Sequence, residues 1–148
     1  MKNKLEITLK TIHLGSEKRF VTLNMQGDDS VDQDILQLAR KDSNKLSKLR
    51  TVMRVISEHK HYSNEQKFKN LKRGLYEIKI HGYRVYAFLD NHSASEQQLI
   101  ICSLCGGKTK QQSADIATAR KIRTKYLELT QKKGVQPKLE FLPNETNE

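Results

Sequence analysis

No apolar run in this sequence approaches the roughly 20 residues that a membrane span needs. Its start, MKNKLEITLK, has no apolar segment of the kind a signal peptide carries. The resulting expectation is a soluble, cytoplasmic chain with no membrane partner. Cysteine is nearly absent, with only Cys102 and Cys105 in LIICSLCGG. Read as CxxC they suggest half a zinc site, yet no second Cys pair and no well-spaced His pair completes one, so no metal is expected. Residues three apart on a strand point to opposite faces, so both thiols are expected to be reduced, dispensable and on opposite sides of a sheet. The only prolines, Pro137 and Pro143, lie with Gly134 in a segment from 134 to 148 that reads as a tail with at most one short docked strand.

Acids are also scarce: 27 Lys and Arg face 17 Asp and Glu, giving a formal charge of +10 over 148 residues. That length fits one domain, and that charge favours a polyanionic partner. The excess is local. Arg40 to Arg73 carries eleven cations against three acids, and Lys108 to Lys133 carries eight against two. The last ten residues, LEFLPNETNE, hold three acids and no cation.

Along the chain, LEITLKTIHL and RFVTLNM flank GSEKR and read as two strands, or as a strand and an irregular extension over 1–26. Leu46, Leu49, Met53 and Ile56, with Val52 and Val55 beside them, form an apolar stripe within a helical region from about Val31 to about Lys60. Residues 42–44, DSN, break that region into a helical hairpin exposing Lys45, Lys48, Arg50 and Arg54. HYSNEQKFKNLKRG and DNHSASEQQ read as loops, and LIICSLC as a central strand covered on both faces. Ser113 is the expected N-cap of a helix reaching about Leu129, with Ile116, Ala119, Ile122, Tyr126 and Leu129 on its buried face.

Between the two loops, YEIKIHGYRVYAF alternates apolar and polar residues on both sides of His81-Gly82, which predicts a tight hairpin. Its register opposes Ile80 to Tyr83, Ile78 to Val85 and Tyr76 to Ala87 on one face, and Lys79 to Arg84 and Glu77 to Tyr86 on the other. Two cations side by side are destabilising without an anion between them. On that register, removal of the Arg84 side chain should leave folding intact. GGKT at 106–109 invites a phosphate-loop reading, but Cys102 stands where the Walker pattern needs glycine. What remains is a strand end with two glycines and two lysines, Lys108 and Lys110, suited to a single phosphate.

LKRGLYEIKIHGYRVYAFLD followed by LIICSLCGGKTKQQSADIATARKIRTKY resembles the RelE/ParE superfamily of toxins from type II toxin–antitoxin systems, above all its HigB-like branch. The resemblance spans about Leu71 to Tyr126. It implies an α+β RelE-like fold: a helical hairpin packed on a small, twisted, mainly antiparallel sheet, with a C-terminal helix, in a toxin domain covering 1–133. It also implies metal-independent, cofactor-free cleavage of mRNA on the ribosome, and an acidic, partly disordered segment of a small DNA-binding antitoxin as partner. The family's functional cations match Lys79 and Arg84 on the hairpin and Lys108 and Lys110 after the third strand. Glu77 stands where RelE proper has a lysine, and QQSAD follows Lys110 without a tyrosine.

RNA cleaves when its 2′-OH attacks the adjacent phosphorus, so a site need only orient the nucleotide, move protons and stabilise the phosphorane. Lys79, Arg84, Lys108 and Lys110 are the candidates for charge, and Glu77 and Tyr86 for proton transfer. His81, Lys48, Arg54, Lys72 and Arg73 are the candidate RNA-binding residues. Two other readings share these residues: a ParE-like inhibitor of DNA gyrase, and a regulatory protein that binds nucleic acid without cutting it.

Overall fold

The computed structural model describes residues 6–28, 30–59, 66–80, 82–93, 96–106 and 111–140. Among these residues the fold is α+β, with three α-helices and one mixed seven-stranded sheet. In chain order the strands are β1 (Ile7–Leu14), β2 (Lys18–Met25), β3 (Phe68–Asn70), β4 (Leu75–Ile80), β5 (Tyr83–Ser93), β6 (Glu96–Gly106) and β7 (Lys138–Glu140). Helices α1 (Ser30–Lys41) and α2 (Ser43–Ser57) follow β2, and α3 (Gln112–Leu127) follows β6 and runs into a π-helical turn, Glu128–Lys132. The sheet order is β3-β4-β5-β6-β2-β1-β7.

Period-two burial in the strands separates two apolar layers. Ile78, Ile80, Val85, Ala87, Leu99 and Ile101 face one side and pack with Leu46, Leu49, Val52, Met53 and Ile56 of α2 and with Val31 and Leu38 of α1. Leu75, Tyr86, Phe88, Ile100 and Cys102 face the other side and pack with Ala119, Tyr126 and Leu129. β6 is therefore covered on both faces, as its unbroken apolar run requires. The break between α1 and α2 falls at Asp42, whose carboxylate caps α2 by accepting from the Lys45 amide.

The sheet is larger than the small antiparallel one expected, because β1 and β2 join it instead of forming an extension. Ile7, Leu9, Val21 and Leu23 belong to the α3-side core. β2 runs parallel to β6, and β7 parallel to β1, so the tail contributes a docked strand.

Both segments read as loops also contain sheet. Phe68–Asn70 pairs with β4, its Phe68 ring stacked on Tyr76 at 4.7 Å. β5 and β6 extend their ladder to Ser93 opposite Glu96. At the ends of that stretch the Gln98 amide donates to Asp90, which also accepts from the Tyr126 hydroxyl.

Two local expectations fail for identifiable reasons. Ser113 is not an N-cap: α3 begins at Gln112, whose side chain donates to a carboxylate of the sheet, and the cap position falls at Gln111, two residues earlier than expected. Cys102 and Cys105 do not point to opposite faces. A bulge shifts the β5–β6 register between Tyr86–Ser103 and Ala87–Ile101, resetting the alternation, and both cysteines join the α3-side core.

Candidate functional site

The hairpin of β4 and β5 has the register its pattern predicts: Lys79 faces Arg84, Glu77 faces Tyr86, Ile78 faces Val85 and Ile80 faces Tyr83. Gly82 takes φ +86°, a left-handed conformation that a tight turn demands and glycine adopts without strain. With Ile78, Ile80 and Val85 committed to the α2 side, Glu77, Lys79, Arg84 and Tyr86 share the α3 side.

There the anion between the two cations proves to be internal. The Glu77 carboxylate is fully buried. Its Oε1 lies 3.7 Å from the Lys79 Nζ, and its Oε2 lies 3.9 Å from the Arg84 Nε. Oε2 also accepts from the Tyr86 hydroxyl at 2.9 Å and from the Gln112 side-chain amide at 3.0 Å. Oε1 is buried without a hydrogen bond. A buried carboxylate without such partners would cost several kcal/mol, and this one binds both strands of the hairpin to the first residue of α3.

Exposure divides the two cations. The Arg84 side chain is only 14% exposed and that of Lys79 38%. Arg84 is therefore not the freely removable side chain expected from the register, since it compensates a buried charge. Burial first, and the Glu77 hydrogen bond second, hold the Tyr86 hydroxyl well above the usual tyrosine range. It is a donor fixed in its protonated form.

Lys79 also lines a cavity of about 440 Å³ at the sheet edge, with Ser47, Lys48, Thr51 and Val52 of α2, Lys67 and Ile80. It lies at the start of β3, where Phe68 pairs with Ile78 and the Lys67 carbonyl accepts from the Lys79 amide. Three lysines and two hydroxyl residues around an apolar floor suit a phosphate-bearing ligand. A second cavity of about 320 Å³, between β2, β6, α1 and α3, is lined among the described residues by Asp28 and Asp34 and by no Lys or Arg, and does not suit one.

The structure thus brings together Lys79, Arg84, Glu77 and Tyr86, and connects Lys79 to Lys48. Arg54 is exposed on α2 outside this cavity. Lys72 and Arg73 stand in the β3–β4 turn, at the opposite end of β4, and do not join the cluster. His81, Lys108 and Lys110 lie outside the described residues.

Sequence reasoning missed Gln112 and Lys67. Gln112 carries no local signal. Lys67 was recoverable only by recognising FKN as a strand. Among the described residues, no group of three or more His, Cys, Asp or Glu is arranged to hold a metal ion. Among the same residues, no helix is long and apolar enough to cross a membrane. No protein-family model, no curated protein and no solved structure matches the chain.

Proposed function

We propose that this chain is the toxin of a type II toxin–antitoxin system, an endoribonuclease of RelE/HigB type that cuts mRNA on the ribosome without a metal. The observation that carries the reading is the cluster of Lys79, Arg84, Glu77 and Tyr86 on the α3-side face of the hairpin; Lys48 and Lys67 line a cavity on the α2 side of the same sheet edge, which Lys79 also borders. Two consecutive helices between the N-terminal strands and the antiparallel β3–β6 unit, followed by α3, agree with a RelE-like fold, to which β1, β2 and β7 are additions.

In this reading Arg84 offers a guanidinium fork and Lys79 a mobile point charge to the phosphorane. Lys108 and Lys110 join them on the strength of the resemblance. Tyr86, held protonated, cannot be the general base, and Glu77, fully buried, instead holds the two cations and the Tyr86 hydroxyl in place. The basic surface between Arg40 and Arg73 is where an acidic antitoxin segment would lie.

The test is ribosome-programmed mRNA cleavage by wild type, Arg84→Ala and Arg84→Lys, each first checked for folding. Cleavage should fall steeply for Arg84→Ala and recover in part for Arg84→Lys, because a point charge lacks the bidentate geometry. A folded Arg84→Ala chain that cuts at the wild-type rate would sink the reading. One observation favours the ParE-like alternative: Glu77 already neutralises the paired cations. Accumulation of gyrase-linked DNA breaks, with mRNA left intact, would select it.

A further inference from the structure

The β3–β4 turn carries a second cationic surface, separate from the Glu77 cluster. Lys72 and Arg73 are both exposed and both held in left-handed backbone, with φ +74° and +57°. Such conformations cost non-glycine residues of order 1 kcal/mol each, and persist only where the surroundings enforce them.

Here the enforcement is visible. The Asn70 side-chain oxygen accepts from the Lys72 amide at 2.8 Å. Arg120 of α3 donates to the Leu71 carbonyl at 2.8 Å and to that of Lys72 at 3.4 Å. Arg123, one turn further on, sets its guanidinium against Gly74, where an added Cβ would stand 3.1 Å from Nη2, and its Nε is buried without a hydrogen-bond partner. Among the described residues none of these four cations makes an ion pair within 4.0 Å. Four positive charges are thus concentrated on one rigid surface with no carboxylate to balance them.

We infer that this surface, formed by Lys72, Arg73, Arg120 and Arg123, is a second contact for the phosphate backbone of RNA. Lys72 and Arg73 present exposed donors, Arg73 with a planar fork that suits phosphate oxygens, while Arg120 and Arg123 hold the turn and add positive charge behind it. Neither cavity described above is lined by any of them, and a strand of phosphates needs only exposed cations. Gln112 marks the Glu77 cluster and Arg120 marks this surface, and at 1.5 Å of rise per residue they lie about 12 Å apart along α3. One strand of several nucleotides reaches both, whereas a very short oligonucleotide occupies one. The inference rests on the ribonuclease reading only in its choice of RNA as the polyanion.

The test uses the full chain and labelled 2′-O-methyl RNA, which lacks the attacking hydroxyl and reports contact without cleavage. The variant is Lys72→Asn/Arg73→Asn, since asparagine tolerates left-handed backbone. With an RNA of about 20 nucleotides, the slope of log affinity against log salt should become shallower by about 1.4, two contacts at about 0.7 each. The affinity lost over a fourfold rise in salt then shrinks about sevenfold. A trinucleotide should bind both proteins alike. As a measurement that needs no variant, the longer RNA should protect Lys72 of the wild type from acetylation.

An unchanged slope, or a Lys72 acetylated as fast with RNA as without, overturns the inference. So does a variant that loses binding to polyglutamate while keeping its RNA slope, which would make the partner an acidic protein segment. A chain that binds RNA through this surface yet never cuts mRNA leaves the inference standing and removes only the nuclease reading.

Discussion

Tyr86 donates its hydroxyl to Glu77 at 2.9 Å across the hairpin, and both side chains are fully buried. On the same side of the sheet, Tyr126 of α3 donates to Asp90 at 2.7 Å, so one tyrosine–carboxylate pair joins the two strands of the hairpin and the other ties α3 to the sheet. In each pair, burial and then the carboxylate raise the phenol above its ordinary value of 10.0.

These shifts make stability sensitive to alkali. The folded chain keeps two protons that the unfolded chain releases above about pH 10. Their contribution is therefore complete below pH 10 and is lost as pH rises towards the folded values. The loss should be about 1.4 kcal/mol per pH unit for each tyrosine. Denaturant unfolding from pH 9 to 11.5 should show the decline in wild type and a much weaker one in Tyr86→Phe/Tyr126→Phe. Equal slopes in the two proteins would mean that neither phenol is held as described.

The β1–β2 turn has a steric requirement at Gly15. A Cβ there would stand 2.3 Å from the Ser57 Oγ and 2.6 Å from the Ser57 carbonyl oxygen. The turn docks on the end of α2, with the Glu17 amide donating to that same carbonyl at 2.9 Å and the Lys18 ammonium to the carbonyl of His59. Because backbone is among the clashing atoms, Gly15→Ala should lose about 1–3 kcal/mol of stability in a denaturant titration. Gly15→Ala combined with Ser57→Gly should recover only part of it, since the carbonyl remains.

Neither thiol should react readily in the folded chain. Burial pushes Cys102 up to about 12, and burial likewise raises Cys105, with Asp115 and Asp34 adding to the effect. A thiol reagent at neutral pH should therefore modify Cys102 only as fast as the chain opens, and more slowly than Cys105, which is less buried. Cys102→Ser should cost about 1–3 kcal/mol by burying a hydroxyl. Rapid stoichiometric labelling of Cys102 in native protein would contradict this environment.

How much of this was legible follows from the range of the signals. The β4–β5 register was readable because alternation and the His81-Gly82 turn are local and reinforce each other, and α2 because its stripe recurs at helical spacing. The sheet extension was not, because the pairing of β2 with β6 joins segments some eighty residues apart. The cysteine faces were lost to one inserted residue, since a bulge leaves no pattern in LIICSLC. The Lys79–Arg84 juxtaposition was visible, but not its counter-ion: Glu77, two residues before Lys79, lies on the same face, and its burial depends on Gln112 of a distant helix.

That counter-ion yields the most discriminating prediction. If Glu77 compensates Arg84, the two side chains must be energetically coupled, and a double-mutant cycle isolates the coupling from other losses. Arg84→Ala alone leaves a fully buried carboxylate with one cation fewer and should destabilise by about 1–3 kcal/mol. Glu77→Gln alone leaves two adjacent cations without their anion, and deprives Tyr86 and Gln112 of an ionised acceptor. In the Glu77→Gln background, however, Arg84→Ala removes a like-charge neighbour of Lys79 and should cost little or even stabilise. The coupling measured from the four unfolding free energies should thus exceed about 1 kcal/mol, and fall with added salt less than that of an exposed pair because Glu77 is screened from solvent. Additive effects within about 0.3–0.5 kcal/mol would show that the 3.9 Å contact carries no energy, and that the cations stand ready for an external phosphate without displacing Glu77.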